Sequence, residues 1–298
     1  MDNITTFSRP SLRSPTLIAA FAGWPDAGTI ATMAVRYLRD SLRAILFAEV
    51  RPDEFYVFTQ SRPHTSPGDN PWDRRITWPA NELYFVRGSD HGPDLILLSG
   101  VEPNLKWPAF VAAILDLAQE LSVEKVVALG STLDSVPHTR EPLISGSSSN
   151  VGLRDATEQL SVRPSAYEGP TSVHSALLEA CDRRGLPNAS LWGHGPLYLQ
   201  DTPNPRVCHT LLRKLDLLLG LRLDLDAISE AAEGFDLQVD RAVARNPELK
   251  KYITQLEEAM ESRQSTEEMP SAESVVRDLE EYLRHRGRER KNGEDQKD

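Results

Sequence analysis

Leu95-Ile96-Leu97-Leu98-Ser99-Gly100 and Lys125-Val126-Val127-Ala128-Leu129-Gly130 decide the fold. Each is an aliphatic run that ends in a glycine. Unbroken runs suit strands covered on both faces, whereas a strand with one wet face alternates apolar and polar residues. A central sheet with helices on each side follows. Leu17–Ala22 runs into Gly23 in the same way and is a third strand of this kind. Working outward, the sequence predicts further strands over Ile45–Val50, Phe55–Phe58, Arg75–Trp78, Leu83–Val86 and Ser190–Gly193. Helical periodicity is expected over Ala27–Arg39, Trp107–Leu121, Val173–Arg184 and Arg206–Leu219. Pro25 and Pro108 suit first helical turns, and Gly185 and Gly220 suit helix stops. Strands alternating with helices are the signature of an α/β fold.

The chain has 298 residues and a formal net charge of -11. That length allows one large domain or two modest ones. The acidic balance excludes nucleic acid and an anionic membrane surface as main partners, since both need a basic footprint. Cys181 and Cys208 cannot build a disulfide framework and lack zinc-site spacing, which points to a reducing compartment. The apolar run from Leu17 to Trp24 falls short of the roughly 20 residues of a membrane span. Pro25-Asp26 stands where a signal-peptide cleavage region would follow. A cytoplasmic protein is expected.

Charge divides the chain. Residues 1–220 carry 20 basic and 24 acidic side chains, and residues 221–298 carry 13 and 20, twice the density. The expected organisation is therefore a compact core domain, 1–220, and a charged helical extension, 221–298. In the extension, Leu249, Tyr252, Ile253, Leu256 and Met260 fall at helical spacing. Val275, Val276, Leu279, Tyr282 and Leu283 repeat the pattern after Met269-Pro270-Ser271, so a helical hairpin is expected, with a frayed end over Gly287–Asp298. Arg51–Pro79 is different in kind. It holds five prolines along with His64, Trp72 and Trp78, and reads as an extended excursion or hairpin projecting from the sheet.

In a sheet of this type, loops leaving the C-terminal strand ends form the natural site. Three of them share one style, a glycine followed closely by an acidic residue: Gly23 to Asp26, Gly100 to Glu102 and Gly130 to Asp134. Glycine lets a ligand approach the backbone and a helix N-terminus can hold an anion; equally, Asp26 can cap its helix and Glu102 can fix a turn. Val136-Pro137-His138-Thr139-Arg140-Glu141 places a proton shuttle beside a bidentate anion grip, or else is a loop braced by its own hydrogen bonds or a subunit contact. His194 ends a strand at a pocket rim, and Glu168 lies in Tyr167-Glu168-Gly169-Pro170. His174 falls in a helical run and reads as a surface or packing residue. The candidate pocket is Asp26, Glu102, Asp134, His138, Arg140, Glu168 and His194. No phosphate-binding P-loop, His-Glu-x-x-His, Cys-x-x-Cys or nucleophile-elbow pattern occurs, so no cofactor or metal is called for.

Gly-Trp-Pro-Asp-Ala-Gly at 23–28, Gly100-Val101-Glu102-Pro103 with Trp107 and Phe110, and Ala128-Leu129-Gly130-Ser131 leading into Val136–Arg140 together resemble the family of the second proteasome assembly chaperone. So do Tyr167–Thr171, Ser190-Leu191-Trp192 and Pro203-Asn204-Pro205, and the resemblance spans about residues 15–220. The charged tail looks like the extension of actinobacterial members. The resemblance implies a three-layer α/β/α sandwich similar to the phosphorylase/hydrolase-like fold, homo-oligomers (often trimers), and a role in protein assembly. One departure is Pro196-Leu197-Tyr198, where members of the family often carry Pro-His-Tyr. The first reading is thus a non-enzymatic protein-binding or assembly factor, a homo-oligomer with a protein partner. Its rival is a phosphorylase- or hydrolase-like enzyme acting on an anionic small molecule at the strand-end pocket. A deep pocket with converging side chains would favour the rival, and a plugged one the first reading.

Overall fold

The structure, a computed structural model, describes residues 3–70, 72–88 and 92–265. In chain order these form β1 (Ile4–Thr6), β2 (Thr16–Ala22), α1 (Ile30–Ser41), β3 (Ile45–Val50), β4 (His64–Pro67), β5 (Arg74–Thr77), β6 (Asn81–Val86) and β7 (Leu95–Val101). There follow α2 (Trp107–Glu120), β8 (Lys125–Asp134), β9 (Ile144–Ser147), α3 (Val151–Gln159), β10 (Arg163–Pro164), α4 (Val173–Arg183) and β11 (Asn188–Pro196). The chain then runs through α5 (Pro205–Leu219), α6 (Asp226–Ala244) and α7 (Pro247–Ser265).

Among the described residues nine strands make one sheet, in the order β1-β3-β6-β7-β2-β8-β11-β9-β10. Its centre, β7-β2-β8-β11, is parallel throughout, and three of these strands, β7, β2 and β8, are the ones that read as aliphatic runs. Antiparallel pairs β6–β7, β3–β6 and β1–β3 extend one side, and β9 joins β11 antiparallel on the other. Strand β2 shows why both faces must be covered. Leu17, Ala19 and Phe21 pack into a layer with Phe110, Val111 and Ile114 of α2 and Val173 and Leu177 of α4. Ile18 and Ala20 point the other way, into Ala34, Val35 and Leu38 of α1 and Leu211, Leu212 and Leu215 of α5. Side chains alternate across a strand, so one run feeds two cores. The result is a three-layer α/β/α sandwich, each fully buried Leu, Ile or Phe contributing about 1.5–3 kcal/mol.

Several local expectations change. Phe55–Phe58 is not a strand. The Phe55 carbonyl accepts from the Asn104 and Leu105 amides, and its ring meets Phe110 edge-on, which folds the segment into turns. The α-helix expected from Ala27 starts at Ile30, because Gly28 and Thr29 are both left-handed and break it after a single 3-10 turn. Strand β8 continues past Gly130 to Asp134, since β11 pairs with it in register as far as Pro196. Arg75–Trp78 lies outside the main sheet: β5 pairs with β4 in a separate antiparallel hairpin within the proline-rich excursion.

The C-terminal extension also differs in detail. Helix α7 carries the expected seam, with Ile253 and Leu256 buried. Its hairpin partner is α6, whose Ile228, Ala232, Phe235 and Val239 are buried at helical spacing, with Ile228 part of the core beside α5. The second arm expected after Pro270, and the end at 287–298, lie outside the described residues. No helix among the described residues is long and apolar enough to cross a membrane.

Candidate functional site

Two of the three strand-end glycines, Gly100 and Gly130, make close approaches, but to this chain's own side chains. A Cβ on Gly100 would sit 1.7 Å from Asn81 Oδ1, and one on Gly130 would sit 2.7 Å from the Trp192 ring. Asn81 in turn donates to the Tyr56 hydroxyl, which donates to the Val101 carbonyl at 2.6 Å. Trp192 stacks edge-on against the buried His174 ring, itself edge-on to Phe21. His174 is thus a packing residue, and burial drives its pKa down to about 4.

The first two acidic residues are structural braces. Asp26 is buried, and its carboxylate accepts from the Ala31 and Thr32 amides at 2.8 and 3.2 Å and from the Thr32 hydroxyl. It thereby satisfies the first turn of α1, where neither Thr29 nor the preceding turn supplies a cap. Burial pushes the Asp26 carboxyl up, against the pull of those hydrogen bonds and of the Arg36 charge. Glu102 Oε1 accepts from the Val173 amide at 2.9 Å, at the start of α4. Burial raises its carboxyl too, opposed by hydrogen bonds from the Val173 and Trp24 backbone. Glu168 stands exposed on the loop before α4.

The loop Val136–Glu141 lies under the extension. His138 Nδ1 bonds the Tyr198 hydroxyl at 2.7 Å and its Nε2 faces Asp240 of α6 at 3.2 Å. The Thr139 hydroxyl bonds Glu257, and Arg140 bonds Glu261, both on α7. Tyr198 meets Tyr252 of α7 edge-on, and Arg206 pairs with Asp236 of α6. His138, Arg140 and His194 line one cavity here, closed partly by Phe235 and Met260 of the two helices. Its volume is about 10 Å³, room for about one water molecule. Asp26, Glu102 and Glu168 do not line it. Asp134 reaches it indirectly, since its Oδ2 bonds His194 Nδ1 at 2.8 Å.

One contact was not foreseeable from residue types. His194 Nε2 lies 2.7 Å from the hydroxyl of Ser145, so Asp134, His194 and Ser145 form one chain across the neighbouring strands β8, β11 and β9. The signal that could have found it is strand register, because nothing in the local sequence marks Ser145. Among the described residues no group of three or more His, Cys, Asp or Glu is placed to hold a metal ion.

The sequence model of the PAC2 family matches residues 20–243, from β2 through α6. The chain belongs to the PAC2 family. The PAC2 match ends one residue short of α6's last, so it takes in the helix that closes the loop cavity. Among solved PAC2 relatives, a PAC2 family protein from Streptomyces avermitilis is 36% identical, with a TM-score of 0.72, over 80% of this chain and 99% of that one. The proteasome-assembly chaperone homologue Rv2125 of Mycobacterium tuberculosis is 32% identical over the same shares, also at a TM-score of 0.72. PbaB of Pyrococcus furiosus, described as an archaeal proteasome activator, shares the fold at 20% identity and a TM-score of 0.65, over 81% of this chain and 99% of that one. No curated protein matches the chain significantly.

Proposed function

We propose that this PAC2-family chain is a partner-binding assembly factor that works as a homo-oligomer, with proteasome subunits as its partner class, and that its strand-end loops serve the fold. The observation that carries this reading is the plugged switch point. Where an α/β enzyme keeps open space for a ligand, Asn81 and Trp192 fill the room beside Gly100 and Gly130, and the cavity that His138 and His194 line together is about 10 Å³. The relative Rv2125, named as a proteasome-assembly chaperone homologue, supports the partner class.

The contact surface in this reading is the β4–β5 hairpin. Trp72 is 93% exposed, Ile76 and Trp78 stand beside it in the excursion, and Trp78 meets Phe58 edge-on. Aromatic residues left in water on a projecting hairpin mark an interaction surface. In this reading the body, 1–220, carries the fold, and α6 and α7 of the extension cover the loop site. An acidic chain with both cysteines buried and unpaired suits the cytoplasm.

Two experiments test the proposal. Light scattering on the full chain is expected to give a multiple of 33.2 kDa at micromolar concentration, a trimer in the form the family resemblance implies. Mixing with free α- and β-type proteasome subunits from the same source is expected to shift the chain into a larger complex on a native gel. A monomer that leaves subunit migration unchanged overturns the reading.

A further inference from the structure

The chain Ser145–His194–Asp134 has the connectivity of a nucleophile, a base and an orienting carboxylate. Asp134 is held from behind, its Oδ1 accepting from the Ser135 amide at 2.7 Å, while Oδ2 meets His194 Nδ1 at 2.8 Å. An ionised carboxylate only accepts, so in the neutral imidazole Nδ1 would carry the ring proton toward Asp134 and Nε2 would keep its lone pair. Nε2 sits 2.7 Å from Ser145 Oγ, within reach of the serine hydroxyl as its donor in that tautomer. That polarity is what general-base activation of a serine requires, and such constellations are recognised by geometry and role rather than by order in the chain.

His194 lines the narrow cavity beside the loop, yet none of the three side chains is fully enclosed. The side chains of His194 and Asp134 retain 14% and 33% of their exposure, and Ser145 is only partly buried. The three residues come from adjacent strands of the rigid sheet, which holds them more firmly than loops would.

We propose that Ser145, His194 and Asp134 form a serine-nucleophile site for esters of short carboxylic acids, a capacity separate from partner binding. Short acyl groups follow from the cavity that His194 lines, about 10 Å³, which is too small to take a longer chain. In the first step Ser145 Oγ attacks the ester carbonyl and its proton passes to His194 Nε2. The C–O bond to the alcohol then breaks, and the alcohol leaves with that proton. In the second step water attacks the acyl-serine and gives one proton to Nε2. Collapse returns that proton to Ser145 Oγ and releases the acid. The overall change is ester plus water to acid plus alcohol.

The test is covalent labelling of the full chain with diisopropyl fluorophosphate, read by intact mass and peptide mapping. A single adduct on Ser145, with loss of fluoride, is expected. Ser145→Ala abolishes it, and His194→Gln slows it by about 10²-fold or more, the usual size of a general-base contribution. Hydrolysis of p-nitrophenyl acetate falls in the same order. If Ser145→Ala does not fold, Ser145→Cys carries the test, its thiol reacting with iodoacetamide ahead of the buried Cys181 and Cys208 and slowed by His194→Gln. No adduct on Ser145, or labelling indifferent to His194, reduces the three residues to a tie between strands and overturns the proposal.

Discussion

The loop Val136–Glu141 and the β4–β5 hairpin invert the usual division of a protein surface. The loop holds a histidine, an arginine and a glutamate, and each has a partner: His138 on Tyr198 and Asp240, Arg140 on Glu261, Glu141 on Arg213. The hairpin holds Trp72, Ile76 and Trp78 and leaves all three exposed. Polar groups near a strand end look functional in a sequence because catalysis uses them, yet here they fasten two helices to the body. Apolar side chains look structural because cores use them, yet here they face water. Binding capacity in this chain is better read from what remains unpartnered than from residue type.

Breaking the hairpin is expected to have the largest effect. Buried aromatic anchors at protein interfaces are each worth about 2 kcal/mol or more, so Trp72→Ser with Trp78→Ser should weaken self-association by roughly 10³-fold. Sedimentation or light scattering across a dilution series reads it directly. The melting temperature of the dissociated chain should fall by no more than the Trp78–Phe58 contact contributes, because Trp72 is almost fully exposed. Unchanged association would remove the hairpin from the contrast.

The body's interior gives the next largest effect, through pH. His174 is fully buried and its pKa lies near 4, against 6.5 for the free side chain. The unfolded chain therefore binds the extra proton first as pH falls. Stability is complete above about pH 6.5 and is lost progressively toward pH 4, by on the order of 3 kcal/mol from this residue. The raised carboxyls of Asp26 and Glu102 act in the opposite sense, favouring the fold as pH drops just above the ordinary carboxylate range. Thermal melts at pH 7 and pH 5 should differ for the parent and much less for His174→Leu; equal pH dependence in both would place the effect elsewhere.

Gly130→Ala probes the plugged switch point itself. The added Cβ would stand 2.7 Å from the Trp192 ring, an overpacked contact costing about 1–3 kcal/mol. At about 2–4 °C per kcal/mol for domains of this size, the melting temperature should fall by several degrees. Had the glycine kept space for a ligand, alanine would fold as well as the parent. A stable Gly130→Ala protein would reopen the ligand reading.

How far all this was legible follows from the kind of signal each part carries. The parallel centre was readable because a strand buried on both faces must be aliphatic throughout, as Leu95–Leu98 and Val126–Leu129 are. Strands β9 and β10 were not, because they are short, glycine- and serine-containing or edge segments whose extended form comes from pairing with β11 and with each other. Helix α3 buries only Thr157 and offers no apolar stripe to read. Helix α6 did carry one, Ile228, Ala232, Phe235 and Val239, hidden among charges. At the site, the capping alternative for Asp26 was written in its position ahead of a helix. Ser145, His194 and Asp134 could not be assembled, because strand register alone brings them together.

The smallest effect expected is the one that separates fastening from ligand binding at Arg140. Its guanidinium bonds Glu261 on α7, but the two side chains are 42% and 64% exposed, and exposed pairs of this kind contribute about 0–1 kcal/mol. Arg140→Ala should therefore leave the melting temperature almost unchanged. The loss should show locally, because Thr139 to Glu257 and Arg140 to Glu261 are polar ties between the loop and α7. Amide hydrogen exchange in α7 is expected to quicken several-fold while β2 and β8 keep their protection. Glu261→Ala should reproduce the pattern, since it removes the other half of the same pair. Phosphate and nucleotides should stabilise neither the parent nor the variants in a thermal-shift screen. A stabilising shift with the parent that disappears in Arg140→Ala but survives in Glu261→Ala would mean that the guanidinium serves an anion and not the helix, and the loop would then belong with the hairpin among the surfaces left for a partner.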